Sequence, residues 1–179
     1  MRISYIQSDI CQVPASTLIT LINSNGHWNG GVDNAIYQSS GLMFHSQVAD
    51  LTRGAKMADN TSIFVRQTGF HKGEMGSVLF VVDDLKNKLS ALVKTGLDEA
   101  DRQFMSTVII PVFRTGKMLG IIEESVEDVI QEIIKGIEIH LRGIGGLSRI
   151  NNVTIVVAPD NDEIFDKVKF ALKRLTYIS

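Results

Sequence analysis

Leu18-Ile19-Thr20-Leu21-Ile22 is an apolar, strand-like run. It is followed at once by Asn23-Ser24-Asn25-Gly26-His27-Trp28-Asn29-Gly30-Gly31 and then by Val32-Asp33-Asn34-Ala35-Ile36. The order is a buried strand, a polar loop with glycines, and a helix start. Gly30 and Gly31 leave backbone N–H groups open, and the positive end of the following helix faces the same loop, so the segment is shaped for an anion. An ordinary strand–helix loop that uses glycine only for turn geometry reads the same way, so the rest of the chain has to decide.

A second segment of the same kind lies further on. Pro111-Val112-Phe113 closes another apolar run and leads through Arg114-Thr115-Gly116-Lys117-Met118-Leu119-Gly120 into a helical pattern. This loop adds two cations. Two such loops on one sheet edge would hold two phosphates side by side, whereas the plain reading of Arg114 and Lys117 is solvated loop charge.

Around these segments strands alternate with helices. Residues 3–6, 18–22, 62–66, 77–82, 107–112 and 153–158 read as strands, the last two as near-continuous β-branched runs suited to burial on both faces. Three helices are well signalled. The first is capped by Asp83 or Asp84, carries the stripe Leu85, Leu89 and Leu92, and stops at Gly96. The second covers 121–142 with the stripe Val126, Ile130, Ile133, Ile137 and Leu141. Its acids (Glu123, Glu124, Glu127, Asp128) crowd the start and His140 and Arg142 sit at the end, which complements the helix dipole, and Gly143 supplies the break. The third covers 161–175, with Asp160 and Glu163 as a capping box and Phe165, Val168, Leu172 and Leu175 as its buried face. Such alternation predicts an α/β sandwich with a mostly parallel sheet, whose ligands bind beyond the carboxyl ends of the strands. With no linker, repeat or low-complexity stretch, the 179 residues are expected to form a single domain.

Composition narrows the function. Lys and Arg total 18 against 20 Asp and Glu, a formal charge of −2, which argues against general nucleic-acid binding. The longest strongly apolar run, Val78-Leu79-Phe80-Val81-Val82, is far short of the ~20 residues of a membrane span. The start of the chain lacks a signal-peptide stretch, and the one cysteine, Cys11, has no internal disulfide partner, so a cytoplasmic location is expected. No metal site or cofactor is expected. His27, His45, His71 and His140 show no metal-ligand spacing, Gly143-Ile144-Gly145-Gly146 follows a helix and not a strand, and Gly116-Lys117 lacks the rest of a Walker loop. Nothing near Cys11 would activate its thiol.

The segment Gly30-Gly31-Val32-Asp33-Asn34-Ala35-Ile36-Tyr37-Gln38-Ser39-Ser40-Gly41 resembles the macro-domain signature, in which glycines precede Val-Asp-x-Ala-Ile and a small-residue helix ending in Gly. Ser8-Asp9-Ile10 resembles that family's Gly-Asp-Ile element, Asn23 falls where the second Asn of its Asn-Ala-Ala-Asn motif belongs, and Thr115-Gly116 up to Gly120 resembles its second phosphate-holding loop. The resemblance implies a three-layer α/β/α macro-type sandwich over residues 1–179 and an ADP-ribose pocket. Asp9 would bind the adenine amino group, with the Ile10 backbone beside it. Gly30, Gly31 and Val32 would touch the diphosphate, as would Thr115, Gly116, Lys117, Met118 and Leu119. Asn23 would bond hydroxyls of the distal ribose.

Four departures stand out. Thr20-Leu21-Ile22-Asn23 lacks the first Asn of the motif, Trp28-Asn29 shortens the glycine run, and His27 lies one place from where some viral members carry a His. Arg114 replaces a small residue; one expectation is that it faces an additional anion such as a 1''-phosphate while Lys117 meets the diphosphate, and the other is that it pairs with an acid on the surface. The implied function is hydrolysis at the distal ribose, of ADP-ribose-1''-phosphate or of an ADP-ribosyl group on a protein or nucleic acid, with Asn23 and Asp33 as catalytic residues. Asp33 sits in the first helical turn, where the dipole favours its charged form, so it would orient a water more than take its proton. The alternatives are a module that binds ADP-ribose without turning it over and a pocket adapted to another nucleotide.

Overall fold

Six strands form one sheet in the order β1-β6-β5-β2-β4-β3. They are β1 (Arg2–Gln7), β2 (Thr17–Ile22), β3 (Ser62–Arg66), β4 (Ser77–Val82), β5 (Thr107–Pro111) and β6 (Asn152–Val157). All pairings are parallel except that of the edge strand β3 with β4. The computed structural model describes residues 1–26, 30–144 and 147–176, with side chains to residue 173. His27, Trp28, Asn29, Gly145, Gly146 and the Leu175 side chain therefore lie outside the described residues.

The sheet is apolar on both faces, and helices cover both. On one face α3 (Leu89–Arg102), α4 (Val126–Gly143) and α5 (Asp162–Thr176) pack on Ile19, Leu79, Val81, Val108, Ile110 and Ile155. On the other, α1 (Gly31–Ser40), α2 (Met43–Thr52) and the short 3-10 turn Ile10–Gln12 pack on Leu18, Ile22, Val78, Phe80 and Ile109. Neighbours along one strand, such as Leu18 and Ile19, thus feed opposite cores, which is why the strand runs read as continuously apolar. The result is the expected three-layer α/β/α sandwich. Among the described residues, no helix is long and apolar enough to cross a membrane.

The helix boundaries correct several expectations. α3 starts at Leu89, and Leu85 lies before it with a left-handed backbone (φ 56°). Gly96 does not stop that helix; a Cβ there would lie 2.9 Å from Ile19 Cγ2, so glycine lets α3 press onto the sheet. Gly136 plays the same part between α3 and α4, where a Cβ would meet Val93 Cβ at 2.7 Å and the Ser90 carbonyl at 2.8 Å. α4 begins at Val126, with Ser125 Oγ accepting the Asp128 N–H, so Glu123 and Glu124 precede the helix. At α5 the first intrahelical bond runs from Phe165 N–H to the Asn161 carbonyl, which makes Asn161 and not Asp160 the cap. α2 is an addition that no periodic stripe announced, for only Phe44 and Val48 of it are buried.

Candidate functional site

The central strands β5 and β2 are neighbours, and the chain leaves them in opposite directions. After β2 it passes through α1 and α2 to the edge strand β3; after β5 it passes through α4 to β6 on the other side. This reversal opens a crevice at the carboxyl edge of the sheet, where α/β folds bind ligands. Both glycine-bearing loops end in it.

The first loop is laced together by short-range bonds. Asn23 Oδ1 accepts the Asn25 N–H at 3.0 Å, and the Asn23 carbonyl accepts the Gly26 N–H at 2.9 Å. Ser24 N–H donates to Asp84 Oδ1 at 2.9 Å, and that bond first of all holds the Asp84 carboxyl below the usual aspartate range. Gly30 then occupies the N-cap position of α1 without a side-chain cap. The N–H groups of Gly31, Val32 and Asp33, in the first helical turn, therefore have no acceptor inside the helix. Gly31 is exposed, Val32 is half-buried, and open space surrounds the Gly31 Cα.

In the second loop the chain turns through Phe113 to Gly120. Leu119 N–H returns to the Gly116 carbonyl and Gly120 N–H to the Glu123 carbonyl. Among the described residues, the N–H groups of Arg114, Thr115, Gly116, Lys117 and Met118 donate to no protein acceptor. Gly116 and Lys117 are exposed. Two rows of open donors thus end neighbouring strands.

Arg114 takes a different place from the one expected of it. Its side chain is 1% exposed, and its Nε and Nη2 grip the two oxygens of Asp83 at 3.1 and 2.7 Å. Nη1 donates to Glu123 Oε2 at 2.6 Å and Nη2 also to the Asn87 carbonyl at 3.1 Å. Burial alone would lower the guanidinium pKa, but the two carboxylates outweigh it and raise it. Glu123 Oε1 in turn accepts the Leu89 N–H that opens α3, at 2.9 Å. Arg114 therefore pairs with acids, as one expectation had it, but in the interior and not on the surface. Its guanidinium joins β4, α3 and the second loop from beneath. Its left-handed backbone (φ 52°) is a conformation that costs an L-residue ~1–2 kcal/mol, and the ion cluster holds it there.

The remaining candidates lie on the segments that follow β1 and β2. Asp9 is exposed at the end of β1 and caps the 3-10 turn, with Oδ1 accepting the Cys11 N–H at 3.0 Å; Ile10 is buried behind it. Cys11 is buried, which pushes its thiol pKa up and keeps it unreactive, in agreement with its sequence reading. Asp33 lies in the first turn of α1, and its Oδ1 is 2.6 Å from Nε2 of His45 on α2. Sequence reading missed that imidazole and also Asp83, Glu123 and Asp84. The usable signal for Asp83 and Asp84 was position: an Asp pair directly after a fully buried strand stands at the carboxyl edge of the sheet.

Comparison with known proteins agrees with this geometry. No family model and no curated protein sequence matches the chain. Solved structures do. The macrodomain of Oceanobacillus iheyensis with ADP is similar at a TM-score of 0.76 and 16% identity, over 98% of this chain and 92% of that one. A mutant of the same macrodomain with ADPR gives 0.74 and 15%, over 96% and 92%. The Trypanosoma brucei macrodomain in complex with ADP-ribose gives 0.72 and 12%, over 95% of this chain and 68% of that one. At these identities the likeness concerns architecture, and it runs over nearly the whole chain: this protein has the macrodomain fold.

Proposed function

We propose that the protein binds ADP-ribose in the crevice between β5 and β2 and hydrolyses an ADP-ribosyl derivative at the distal ribose. The observation that carries the binding is the pair of open donor rows, Gly31 to Asp33 and Thr115 to Met118, on adjacent strand ends. One diphosphate spans two such rows, and each N–H bonded to a phosphate oxygen is a charge-assisted bond. The solved macrodomains that hold ADP or ADP-ribose support the same choice of ligand.

The other roles follow from position. The exposed carboxylate of Asp9 accepts the adenine amino group beside the Ile10 backbone. Gly30, Gly31 and Val32 hold one side of the diphosphate, and Thr115, Gly116, Lys117, Met118 and Leu119 the other. Asn23 bonds the distal ribose hydroxyls. Asp33 orients a water that adds to the anomeric carbon or to the phosphorus of a 1''-phosphate. The bond to the leaving group breaks, the water's proton passes to solvent or to that group, and ADP-ribose is released. Arg114 is left out of ligand recognition because its guanidinium is engaged by Asp83 and Glu123. One observation favours the non-catalytic reading: Thr20 stands where the first Asn of the motif would be, so the distal-ribose end has fewer polar groups.

Calorimetry tests the binding. ADP-ribose is expected to bind and AMP to bind much more weakly, since AMP uses one row of donors. No heat with ADP-ribose at millimolar concentration overturns the ligand. Incubation with ADP-ribose-1''-phosphate and with a mono-ADP-ribosylated protein then separates enzyme from reader.

A further inference from the structure

Two histidine–aspartate pairs occur among the described residues, and only one borders the crevice. His140 is fully buried between α3 and α4, with Nδ1 2.7 Å from Asp98 Oδ1 and Nε2 3.4 Å from Ser148 Oγ. The nearby hollow of about 330 Å³, lined by Lys94, Asp98, Arg102 and Arg149 among others, does not reach either His140 or Ser148. The His140 ring is therefore sealed from solvent, although Asp98 keeps 30% of its side-chain exposure. The pair Asp33–His45 is different. Its side chains keep 27% and 16% of their exposure, and Asp33 stands in the helical turn whose N–H groups face the crevice.

We infer that His45 is a positioning residue for Asp33, fixing which carboxylate oxygen meets the water at the distal ribose. The inference rests on the hydrolytic reading given above. α1 runs to Ser40, and His45, in the first turn of α2, reaches back to Asp33 in the first turn of α1. An aspartate in an outer helical turn otherwise moves among rotamers. Here Nε2 takes Oδ1 at 2.6 Å, and the ring of Tyr37, one turn along α1 from Asp33, braces the imidazole edge-on at a centroid distance of 6.2 Å. One oxygen is thereby committed to the protein, and Oδ2 is the one left to orient a water. Side chains in α-helices tilt toward the N-terminus, which leans the Asp33 carboxylate toward the loop.

The test compares His45→Leu with His45→Gln, whose amide can reach Asp33 and donate. Removing the support of a catalytic group costs on the order of 10- to 100-fold in turnover. His45→Leu is therefore expected to lower kcat on ADP-ribose-1''-phosphate or the ADP-ribosylated protein by at least about tenfold. KM and the Kd of ADP-ribose should stay within about twofold, since the imidazole supports chemistry and not binding. His45→Gln should recover most of kcat, and His45→Leu added to Asp33→Ala should cost nothing more. If His45→Leu does not fold, His45→Asn, polar but too short to reach Oδ1, replaces it. A variant without the donor that keeps full kcat, while Asp33→Ala loses it, overturns the inference and leaves the function standing. A wild-type protein that binds ADP-ribose but turns over neither substrate overturns both.

Discussion

The two loops that end in the crevice look alike in sequence and are held in place by opposite means. The β5–α4 loop is fixed from below by a buried guanidinium between two buried carboxylates, with side-chain exposures of 1% for Arg114, 4% for Asp83 and 3% for Glu123. Among the described residues, the β2–α1 loop is held by the turn that Asn23 closes and by Ser24, whose N–H donates to Asp84 and whose carbonyl accepts the Met57 N–H. Both present backbone donors to the same space. A ligand-binding loop can thus be made rigid by charge it hides or by bonds it makes to itself, and the two routes should fail differently.

The largest difference is expected for Arg114→Met. It leaves Asp83 and Glu123 buried without a counter-ion, a loss of about 3–5 kcal/mol. Urea unfolding should show it, and a stability within error of wild type would mean that the cluster is not buried in solution. If the variant is still folded, it should weaken ADP-ribose and ADP-ribose-1''-phosphate equally; selective loss of the second would return Arg114 to the ligand.

Asp84→Ala removes the acceptor of the Ser24 N–H and should cost less, about 1–2 kcal/mol. It should disturb the ribose end of the site more than the diphosphate. Loss of ADP affinity as large as that of ADP-ribose affinity would contradict this division of labour.

Acid should weaken the hold on the first loop. The Ser24 N–H holds the Asp84 pKa below its ordinary value, so the folded state binds that proton less readily than the unfolded chain. Asp84 therefore contributes stability above the unfolded value near ~4, and the contribution is lost as pH falls through the lower folded value. The difference in thermal midpoint between wild type and Asp84→Ala should be constant above about pH 5 and shrink toward pH 3. A difference that grows on acidification would reverse the sign of this argument.

Lys117→Ala is the smallest expected change. The side chain is exposed, and an exposed charge contributes about 0–1 kcal/mol, so ADP-ribose should bind at most about fivefold more weakly. Added salt should narrow even that difference. A salt-insensitive loss would point to a bound, desolvated lysine.

Much of the architecture was legible because the central strands β2, β4 and β5 are buried on both faces and so carry near-continuous apolar runs. Residues 62–66 and 77–82 read from sequence match β3 and β4 to the residue. The loops were legible for a related reason: glycine before a helix leaves donors open whatever the rest of the fold does. What was not legible depends on contacts distant in sequence. Arg114 and Asp83 are 31 residues apart and meet only because β2 lies between β4 and β5. A cation in a loop reads as solvated until that strand order is known. Gly96 read as a helix stop because glycine is a poor helix former, and the opposing pressure, a sheet too close for any Cβ, is a property of packing. His45 is 12 residues from Asp33, across a helix reversal that no periodic stripe predicted.

The place of β1 in the sheet also bears on how the chain is made. Its one strand partner is β6, in the register Arg2–Asn152 through Gln7–Val157, and Ser4 Oγ bonds Asn152 and Thr154 across the same seam. β1, synthesised before the other strands, must therefore wait until about 150 further residues have left the ribosome before it can pair with β6. Closing so long a loop is slow, although doubling its length adds only ~0.6 kcal/mol of entropy cost. Until then β2, β4 and β5 can associate, while β1 stays unpaired. Nascent chains halted just before Asn152 should expose residues 2–7 to protease, and those that include α5 should protect them.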